Sequence, residues 1–326
     1  MKKPNVLIVA PFYPSGPIRF ISEAFERMDL KTFRIGATYN DHGGIKWVGD
    51  EAVKVDVELK REASRWSIDA FVDLATHAGV SPDLVLMSEE NYRTEISPTL
   101  KVPSVFWLFD GWPNNYERGD ALNPTLRYTS HPYGIRIHPR KEIPTGWKYL
   151  GTAHAPWMHP FLNRERDVDF ALHATPYGKR PEICDYLRSH GLVVADGWVT
   201  TKRYVEDYNR ALFTYHNSGG QQEIKYRWYE AAGMGCVNIC DHTALYEENG
   251  LIAHEHYIPI QSYPDQNGDL WPDPEELLGL IGEYKNITGM IEQLSHNARL
   301  EVGAYHTYIH RAQTILEDLG YNVEYS

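Results

Sequence analysis

A glycine turn that leads into a basic helix is the feature of this sequence best suited to chemistry. Residues 218–236 read SGGQQEIKYRWYEAAGMGC and follow an apolar run at 211–215 that predicts a strand. The first N–H groups of a helix are unpaired and its dipole adds positive potential, so a strand, a glycine turn and a helix start form an anion site. We therefore expect the backbone of Ser218, Gly219 and Gly220 to bind an anion.

Three charged side chains in the same segment indicate which anion. Lys225 and Arg227 suit a diphosphate, and Glu230 can accept two hydrogen bonds from a ribose diol. Residues two positions apart do not share a helix face, so we expect at most one of the two cations, Arg227 in preference, to reach the diphosphate. The pattern predicts a nucleotide-sugar site. The alternative is that Glu230 is a solvated helix carboxylate.

The stretch RWYEAAGMGC at 227–236 resembles the donor-binding helix of two-domain (GT-B) glycosyltransferases, especially the CgeB-like, spore-maturation-protein type. A second stretch, HTYIHRA at 306–312, is similar to that family's C-terminal pattern. The resemblance covers residues 167–320 and extends to the N-terminal half by architecture only. Related retaining enzymes carry two glutamates eight positions apart. Glu230 matches the second, whereas the first falls on Gln222.

The resemblance implies that a sugar moves from a nucleotide diphosphate sugar to a hydroxyl acceptor. Such a fold holds the diphosphate with helix dipoles and side chains, so we expect no metal and no cofactor beyond the co-substrate. The Glu230 motif favours a retaining mechanism over an inverting one. Two alternatives stay open: a nucleotide-sugar 2-epimerase of the same architecture, and a non-catalytic two-domain binding protein.

Composition limits the function classes. A chain of 326 residues suits two domains, and its 9 Trp, 22 Tyr and 10 Phe exclude disorder. A net charge of -12 argues against nonspecific binding to nucleic acid or anionic membranes. Its 3 cysteines form no CxxC pair and are expected to be buried thiols, which fits a reducing cytoplasm. No apolar run approaches the ~20 residues of a membrane span.

Alternating strand and helix patterns predict an α/β fold with two Rossmann-like domains that face each other across a cleft. We place an acceptor-binding domain at 1–160, a nucleotide-sugar domain at 161–304, and a C-terminal helix at 305–326 that returns to the first domain. Residues 150–161 are expected to be the hinge, residues 114–148 to be irregular, and residues 287–294 and 301–319 to form separate helices.

Acidic residues follow two predicted strands of the first domain. Glu89 comes just after the strand at 84–87, and Asp110 follows the strand at 105–109. Ligands of open α/β folds bind outside the carboxyl ends of strands, so both positions are candidates for catalysis. Asp110 is the better candidate for a general base or an acceptor anchor. The alternative for Asp110 is a turn cap before Gly111.

Four further residues are candidates for the acceptor side. Ser15 and Gly16 lie in the turn after the first strand, which lacks GxGxxG and has an ordinary βα connection as its alternative. His154 lies in the predicted hinge. Arg136 belongs to a basic run at 127–148, which indicates either a polyanionic acceptor, including a hydroxylated base flipped out of DNA, or a solvated loop. A glycan, a protein and a small metabolite are equally open as acceptors.

Two acidic patterns are discounted as metal sites. Asp167 and Asp169 precede their strand, whereas the metal-binding DxD of single-domain glycosyltransferases follows one. The segment 265–269 echoes a calcium loop, but Leu270 occupies the position that requires glycine, so a turn is expected.

Overall fold

A computed structural model describes residues 3–42, 45–60, 66–88, 94–96, 100–109, 113–135, 138–139, 142–217, 223–265 and 269–322. Packing divides the chain into two compact units. The first takes its described residues from 3–42, 46–152 and 308–322, and the second from 153–307 together with residue 45. The sequence placed its boundaries at 160/161 and 304/305. The functional roles assigned to the two domains stay predictions.

In chain order, the strands of the described part are β1 (Val6–Val9), β2 (Thr32–Gly36), β3 (Asp41–His42), β4 (Ile45–Lys46), β5 (Val57–Glu58), β6 (Trp66–Ser67), β7 (Leu84–Ser88), β8 (Thr94–Glu95), β9 (Ser104–Leu108), β10 (Leu126–Thr129), β11 (Gly134–Ile135), β12 (His138–Pro139), β13 (Lys148–Tyr149), β14 (Val168–Leu172), β15 (Val194–Asp196), β16 (Ala211–His216), β17 (Val237–Cys240), β18 (Ile258–Pro259), β19 (Ser262–Pro264) and β20 (Leu270–Pro272).

The helices there are α1 (Pro17–Arg27), α2 (Ile68–His77), α3 (Pro113–Leu122), α4 (Arg180–Ser189), α5 (Thr201–Arg210), α6 (Tyr226–Gly233), α7 (Ala244–Glu248), α8 (Pro274–Lys285), α9 (Met290–Tyr305) and α10 (Tyr308–Asp318), with a 3₁₀ turn at Gly49–Glu51.

Each unit is built on a parallel sheet. The first has the order β13-β10-β9-β7-β1-β2-β5, and the second has the order β15-β14-β16-β17-β18. The strands β1, β9 and β17 are buried along their whole length, as continuous apolar runs predict for a sheet covered on both faces. The expected α/β class with two Rossmann-like units is confirmed.

The C-terminal helix α10 packs against α1 in the first unit, as predicted. The rings of Phe20 and Tyr308 have their centroids 5.4 Å apart. Arg311 Nε donates a 2.7 Å hydrogen bond to the Gly151 carbonyl, and Lys148 Nζ lies 2.7 Å from Asp318 Oδ1. Aromatic packing and an ion pair therefore attach the end of the chain to the first sheet.

The prediction that residues 114–148 are irregular is wrong, because α3, β10 and β13 lie there. Tyr116 and Leu122 are the buried large side chains of α3, so the apolar pattern was too sparse to indicate a helix. Tyr116 Oη donates a 2.6 Å hydrogen bond to the His131 carbonyl. Gly119 is required for packing, since a Cβ there would lie 2.6 Å from the Trp147 ring.

The predicted break between residues 294 and 301 is also wrong, because α9 runs through it to Tyr305. No glycine or proline interrupts residues 295–300. The helix ends instead where His306 and Thr307 pair with another segment. The His154 N–H donates a 2.8 Å hydrogen bond to the His306 carbonyl, and His154 forms a parallel bridge with Thr307. A long-range contact, which the local pattern does not encode, sets this boundary.

Candidate functional site

The second sheet changes its winding direction between β14 and β16. The chain goes from β14 to β15 on one side and then returns to β16 on the other. Ligands of open α/β sheets bind at such a switch point, outside the carboxyl ends of the strands. In this unit that edge carries His173 and Ala174 after β14, and His216 and Asn217 at the end of β16.

A pocket lies at this switch point, within the second unit. Its walls come from β14, β16, the starts of α4 and α6, and β20. The lining residues are Leu172, Ala174, Arg180, Tyr215, His216, Asn217, Lys225, Arg227 and Trp271. Three of them are cations, and all three are half-buried. Such a concentration of positive charge in a pocket suits an anionic ligand.

Arg180 is placed by the turn between β14 and α4. Gly178 adopts φ +57°, and a Cβ there would lie 2.4 Å from the Trp271 ring, so glycine is needed for both reasons. Arg180 is the first residue of α4. Its Nη1 donates a 3.0 Å hydrogen bond to the Thr175 carbonyl, and its guanidinium carbon lies 5.8 Å from the Trp271 ring centroid. These contacts hold the guanidinium at the pocket.

Lys225 and Arg227 both line the pocket. The sequence predicted that at most one of them would reach a diphosphate, which stays a prediction, but it placed both residues on the helix. In fact α6 begins at Tyr226, and Lys225 is its N-cap residue with extended backbone (φ -69°, ψ 148°). A residue outside the helix is not bound by the spacing of helix faces. The Lys225 side chain does not cap the first N–H groups of α6, and N–H groups at a helix start are suited to bind an anionic ligand.

The pKa values of Arg180 and Lys225 show that the pocket cations are buried and act on one another. Burial, followed by the charge of Arg227, lowers the pKa of Arg180. Burial also lowers the pKa of Lys225, and Arg180 and Arg227 lower it further, while Glu223 opposes them. Desolvated like charges at one place are a strain that a bound anion would relieve.

His216 adds an uncharged polar group to the pocket. It is 7% exposed, and its Nε2 has no hydrogen-bond partner in the part of the chain that the structure describes. Burial, and then the charges of Arg227, Arg180 and Lys225, lower the pKa of this imidazole well below its usual value. His216 is therefore neutral near pH 7. The neighbouring His173 differs, because its Nδ1 and Nε2 contact the Gly197 carbonyl at 3.1 Å and Asp207 Oδ2 at 2.9 Å.

Glu230 lies one helical turn beyond Arg227 and does not line the pocket. Its side chain is 2% exposed. The Tyr204 hydroxyl donates a 2.7 Å hydrogen bond to Oε2, and His159 Nδ1 lies 3.4 Å from Oε1. Burial raises the pKa of Glu230 to about 7, although the Tyr204 hydrogen bond and Arg227 act in the opposite direction. Its predicted role as a ribose ligand stays a prediction.

His154 packs on the same helix. A Cβ at Gly233 would lie 2.5 Å from the His154 ring, so α6 needs glycine at that point. The imidazole is 4% exposed, and burial lowers its pKa to about 3. His154 belongs to the second unit, where its ring centroid lies 6.3 Å from that of His159, whereas the sequence assigned it to the acceptor side. That role stays a prediction.

Ser15 and Gly16 follow β1 at the switch point of the first sheet, between β1 and β7. Gly16 is the N-cap residue of α1. The nearby cation, Arg19, contacts protein groups: its Nη1 donates to the carbonyls of Pro14 at 2.9 Å and Glu51 at 2.8 Å, and its Nε lies 2.7 Å from Glu23 Oε1. Arg19 therefore braces the turn that carries the two predicted residues.

Several predicted site residues lie outside the described residues: Glu89, Asp110, Arg136, Ser218, Gly219 and Gly220. The strands before them are described. β7 ends at Ser88, β9 ends at Leu108, and β16 ends at His216.

Among the pocket residues that sequence reasoning missed are Arg180, His216 and Trp271. A usable signal existed for Arg180, because Gly178-Lys179-Arg180-Pro181 places a glycine turn, two cations and a helix-starting proline a few residues after a strand. Trp271 reaches the pocket from the β19–β20 hairpin. The Asn217 side-chain amide anchors that hairpin by donating a 2.8 Å hydrogen bond to the Leu270 carbonyl. This contact spans 53 positions, so no local pattern shows it.

The predicted turn at 265–269 falls mostly on residues 266–268, which lie outside the described residues. On either side of them, the Asp265 N–H donates a 2.8 Å hydrogen bond to the Asp269 carbonyl, and β19 pairs antiparallel with β20. Within the described ranges, no cluster of three or more His, Cys, Asp or Glu side chains has the arrangement of a metal site. No described helix is both long and apolar enough to cross a bilayer. Cys184, Cys236 and Cys240 are buried free thiols, as expected.

The fold resembles solved structures over nearly its whole length. Anabaena Alr3699/HepE in complex with UDP aligns with a TM-score of 0.60 at 13% identity, covering 97% of this chain and 99% of that chain. A UDP-N-acetylglucosamine 2-epimerase aligns with a TM-score of 0.51 at 14% identity, covering 100% and 99%. The DNA-modifying enzyme β-glucosyltransferase aligns with a TM-score of 0.51 at 10% identity, covering 95% and 98%. Identities this low establish the fold alone, which is GT-B.

No curated protein matches the sequence. The family described as glycosyl transferase-like matches residues 154–317, just over half of the 326 residues and nearly all of the second unit. This chain therefore belongs to the glycosyl transferase-like family.

Proposed function

We propose that this protein transfers a sugar from a nucleotide diphosphate sugar to a hydroxyl acceptor. The observation that carries the proposal is the convergence of Arg180, Lys225 and Arg227 on one pocket at the switch point of the second sheet. A diphosphate brings the negative charge that these desolvated cations lack. The charge that develops on the leaving diphosphate is stabilised by the same groups.

The donor lies across the start of α6 in this proposal. The diphosphate binds the three cations, the first N–H groups of α6, and the backbone of Ser218, Gly219 and Gly220. The nucleotide ribose binds Glu230. Because that carboxylate is 2% exposed, a ribose reaches it only after neighbouring side chains move. Arg180, Lys225 and Arg227 supply the positive charge that a metal ion supplies elsewhere, so we propose metal-independent transfer.

The first unit binds the acceptor in this proposal, with Asp110 and Glu89 as catalytic carboxylates and Ser15, Gly16 and Arg136 on the acceptor side. His154, which belongs to the second unit, was predicted for the same role. The Glu230 motif supports retention of configuration and a CgeB-like subtype. A hydroxylated DNA base is one acceptor to test. Its support is the basic run at 127–148 and the shared fold with a DNA-modifying β-glucosyltransferase. A reducing cytoplasmic location is proposed from the three buried free thiols.

The test is to incubate the protein with UDP-, GDP- and ADP-sugars, with and without glycan, protein, small-molecule and hydroxymethylated DNA acceptors. Products are scored by mass. We expect one donor to release its nucleoside diphosphate and one acceptor to gain the mass of a sugar, with EDTA having no effect. Conversion of the donor without an acceptor would instead identify a 2-epimerase. Donor binding without turnover would identify a binding protein.

A further inference from the structure

The Glu230 carboxylate has two unequal oxygens. Oε2 accepts the 2.7 Å hydrogen bond from Tyr204. Oε1 is buried, accepts no hydrogen bond from any described residue, and has His159 Nδ1 as its neighbour at 3.4 Å. A buried carboxylate oxygen without a donor is costly, so a ligand hydroxyl that reached Oε1 would supply the missing hydrogen bond.

Tyr204 is placed to act on that carboxylate. It lies on α5, one turn before Tyr208, and the two rings have centroids 4.5 Å apart. Burial, followed by the nearby Glu230 charge, raises the pKa of Tyr204 well above its usual value. The phenol therefore keeps its proton throughout the neutral range and always acts as the hydrogen-bond donor. The Tyr208 hydroxyl makes no such bond to Glu230.

We propose that Tyr204 is a positioning residue that fixes Glu230 as an ionised ribose acceptor and directs Oε1 to the nucleotide. The inference rests on the proposed function, because it assumes a ribonucleotide donor. A hydrogen bond that favours the charged form of a carboxylate lowers its pKa, which opposes the effect of burial. Tyr204 thus orients the carboxylate and also keeps it charged.

The charged and titratable groups around Glu230 are few in the described part of the chain. Tyr204 faces it from α5, His159 and His154 come from the segment before β14, and Arg227 lies on α6 itself. Tyr204 and Arg227 favour the ionised form of Glu230, and among the described residues only Tyr204 donates a hydrogen bond to it. Removal of the phenol hydroxyl should therefore leave Glu230 protonated to a higher pH.

The experiment compares Tyr204→Phe with Tyr208→Phe, which makes the same chemical change one turn further along the same helix. Calorimetry from pH 6 to pH 9 measures the Kd of UDP, GDP and ADP, of their 2′-deoxy forms, and of inorganic pyrophosphate. For the nucleotide that binds, Tyr204→Phe should weaken affinity about 10-fold near pH 6.5, since one pKa unit is a factor of ten. The loss should vanish near pH 9, and pyrophosphate affinity should not change.

Two outcomes would overturn the inference. One is that Tyr204→Phe and Tyr208→Phe have the same pH profile and the same preference for ribose over deoxyribose. The other is that Tyr204→Phe binds the ribonucleotide more tightly, which would make Tyr204 a competitor of ribose. If wild-type protein binds neither a nucleotide nor pyrophosphate, the proposed function itself fails, which is a distinguishable result.

The wild-type protein provides a second test that does not depend on how either variant folds. Its preference for the ribonucleotide over the deoxy form should decline as the pH is lowered through about 7, because Glu230 becomes protonated. A preference that is constant from pH 6 to pH 9 would contradict the role assigned to the carboxylate.

Discussion

Each of the two units has its own parallel sheet with a switch point, but the cations near the two switch points have different surroundings. In the first unit Arg19 is 8% exposed and is bonded to two carbonyls and Glu23. In the second, Arg180, Lys225 and Arg227 are half-buried around an open pocket. The same architecture thus makes a braced turn in one unit and a pocket lined by three cations in the other, and the difference lies in which groups meet the cations.

Removing the pocket cations should cause the largest loss of nucleoside diphosphate affinity. Each charge-assisted bond to a diphosphate is worth about 1.5–3 kcal/mol, so the double variant Arg180→Gln/Arg227→Gln should weaken nucleoside diphosphate binding by about 10²- to 10⁴-fold. Calorimetry measures the change. Two controls sharpen the comparison: Arg188→Gln on the same helix as Arg180, and Arg19→Gln in the first unit. Both should keep wild-type affinity, and Arg19→Gln should lower the melting temperature. Equal losses in Arg188→Gln would refute the pocket.

The buried charge of Glu230 should lower the free energy of unfolding at neutral pH. Burial raises its pKa from 4.5 to about 7, so the stabilising protonated form is present below pH 4.5 and is lost as the pH rises through 7. Above pH 7 the cost is about 3 kcal/mol. Glu230→Gln should therefore raise the free energy of unfolding at pH 8 by up to that amount, with little change at pH 4.5, while nucleotide affinity falls. Denaturation at both pH values measures this effect, and a variant destabilised at pH 8 would contradict it.

Two helix glycines should respond to alanine alike in stability but differently in function. A Cβ at Gly119 meets Trp147 at 2.6 Å, and one at Gly233 meets His154 at 2.5 Å. Each substitution should destabilise the fold by about 1–3 kcal/mol through overpacking. Only Gly233→Ala should also weaken nucleotide binding, because it lies on α6.

Gly279 on α8 has no atom within 4 Å of such a Cβ, so Gly279→Ala should stabilise the fold by about 0.5–1 kcal/mol. Urea denaturation of all three variants tests the set.

A higher salt concentration should cause the smallest change in nucleoside diphosphate affinity. Half-buried charges are screened less than exposed ones, so raising NaCl from about 50 mM to 500 mM should weaken nucleoside diphosphate binding only several-fold. A loss of several orders of magnitude would indicate a surface-exposed anion site in place of the pocket. Calorimetric titrations at the two salt concentrations distinguish these cases.

The sequence predicted the class of fold and the end of α6 because both depend on local patterns. Continuous apolar strands, and Gly235 in the left-handed region after α6 at φ +85°, are set by neighbouring residues. The sequence did not predict the features that depend on contacts between residues far apart in the chain. Trp271 reaches the pocket through a bond between Asn217 and Leu270, and α9 ends where His306 meets His154. The sequence placed Lys225 on the helix, whereas it is the N-cap residue just before α6. The helix-face spacing that limited the predicted reach of its side chain therefore does not apply.

The most direct test of the central claim is calorimetric titration of inorganic pyrophosphate and of UDP, GDP and ADP into the wild-type protein and into Arg180→Gln. Arg180 was not expected from the sequence and belongs to the pocket only through the fold of the second unit. We predict that the wild type binds pyrophosphate and at least one of the nucleotides, and that Arg180→Gln weakens both by about 10- to 100-fold. Wild-type binding that survives unchanged in Arg180→Gln would contradict the assignment of the pocket as the diphosphate site.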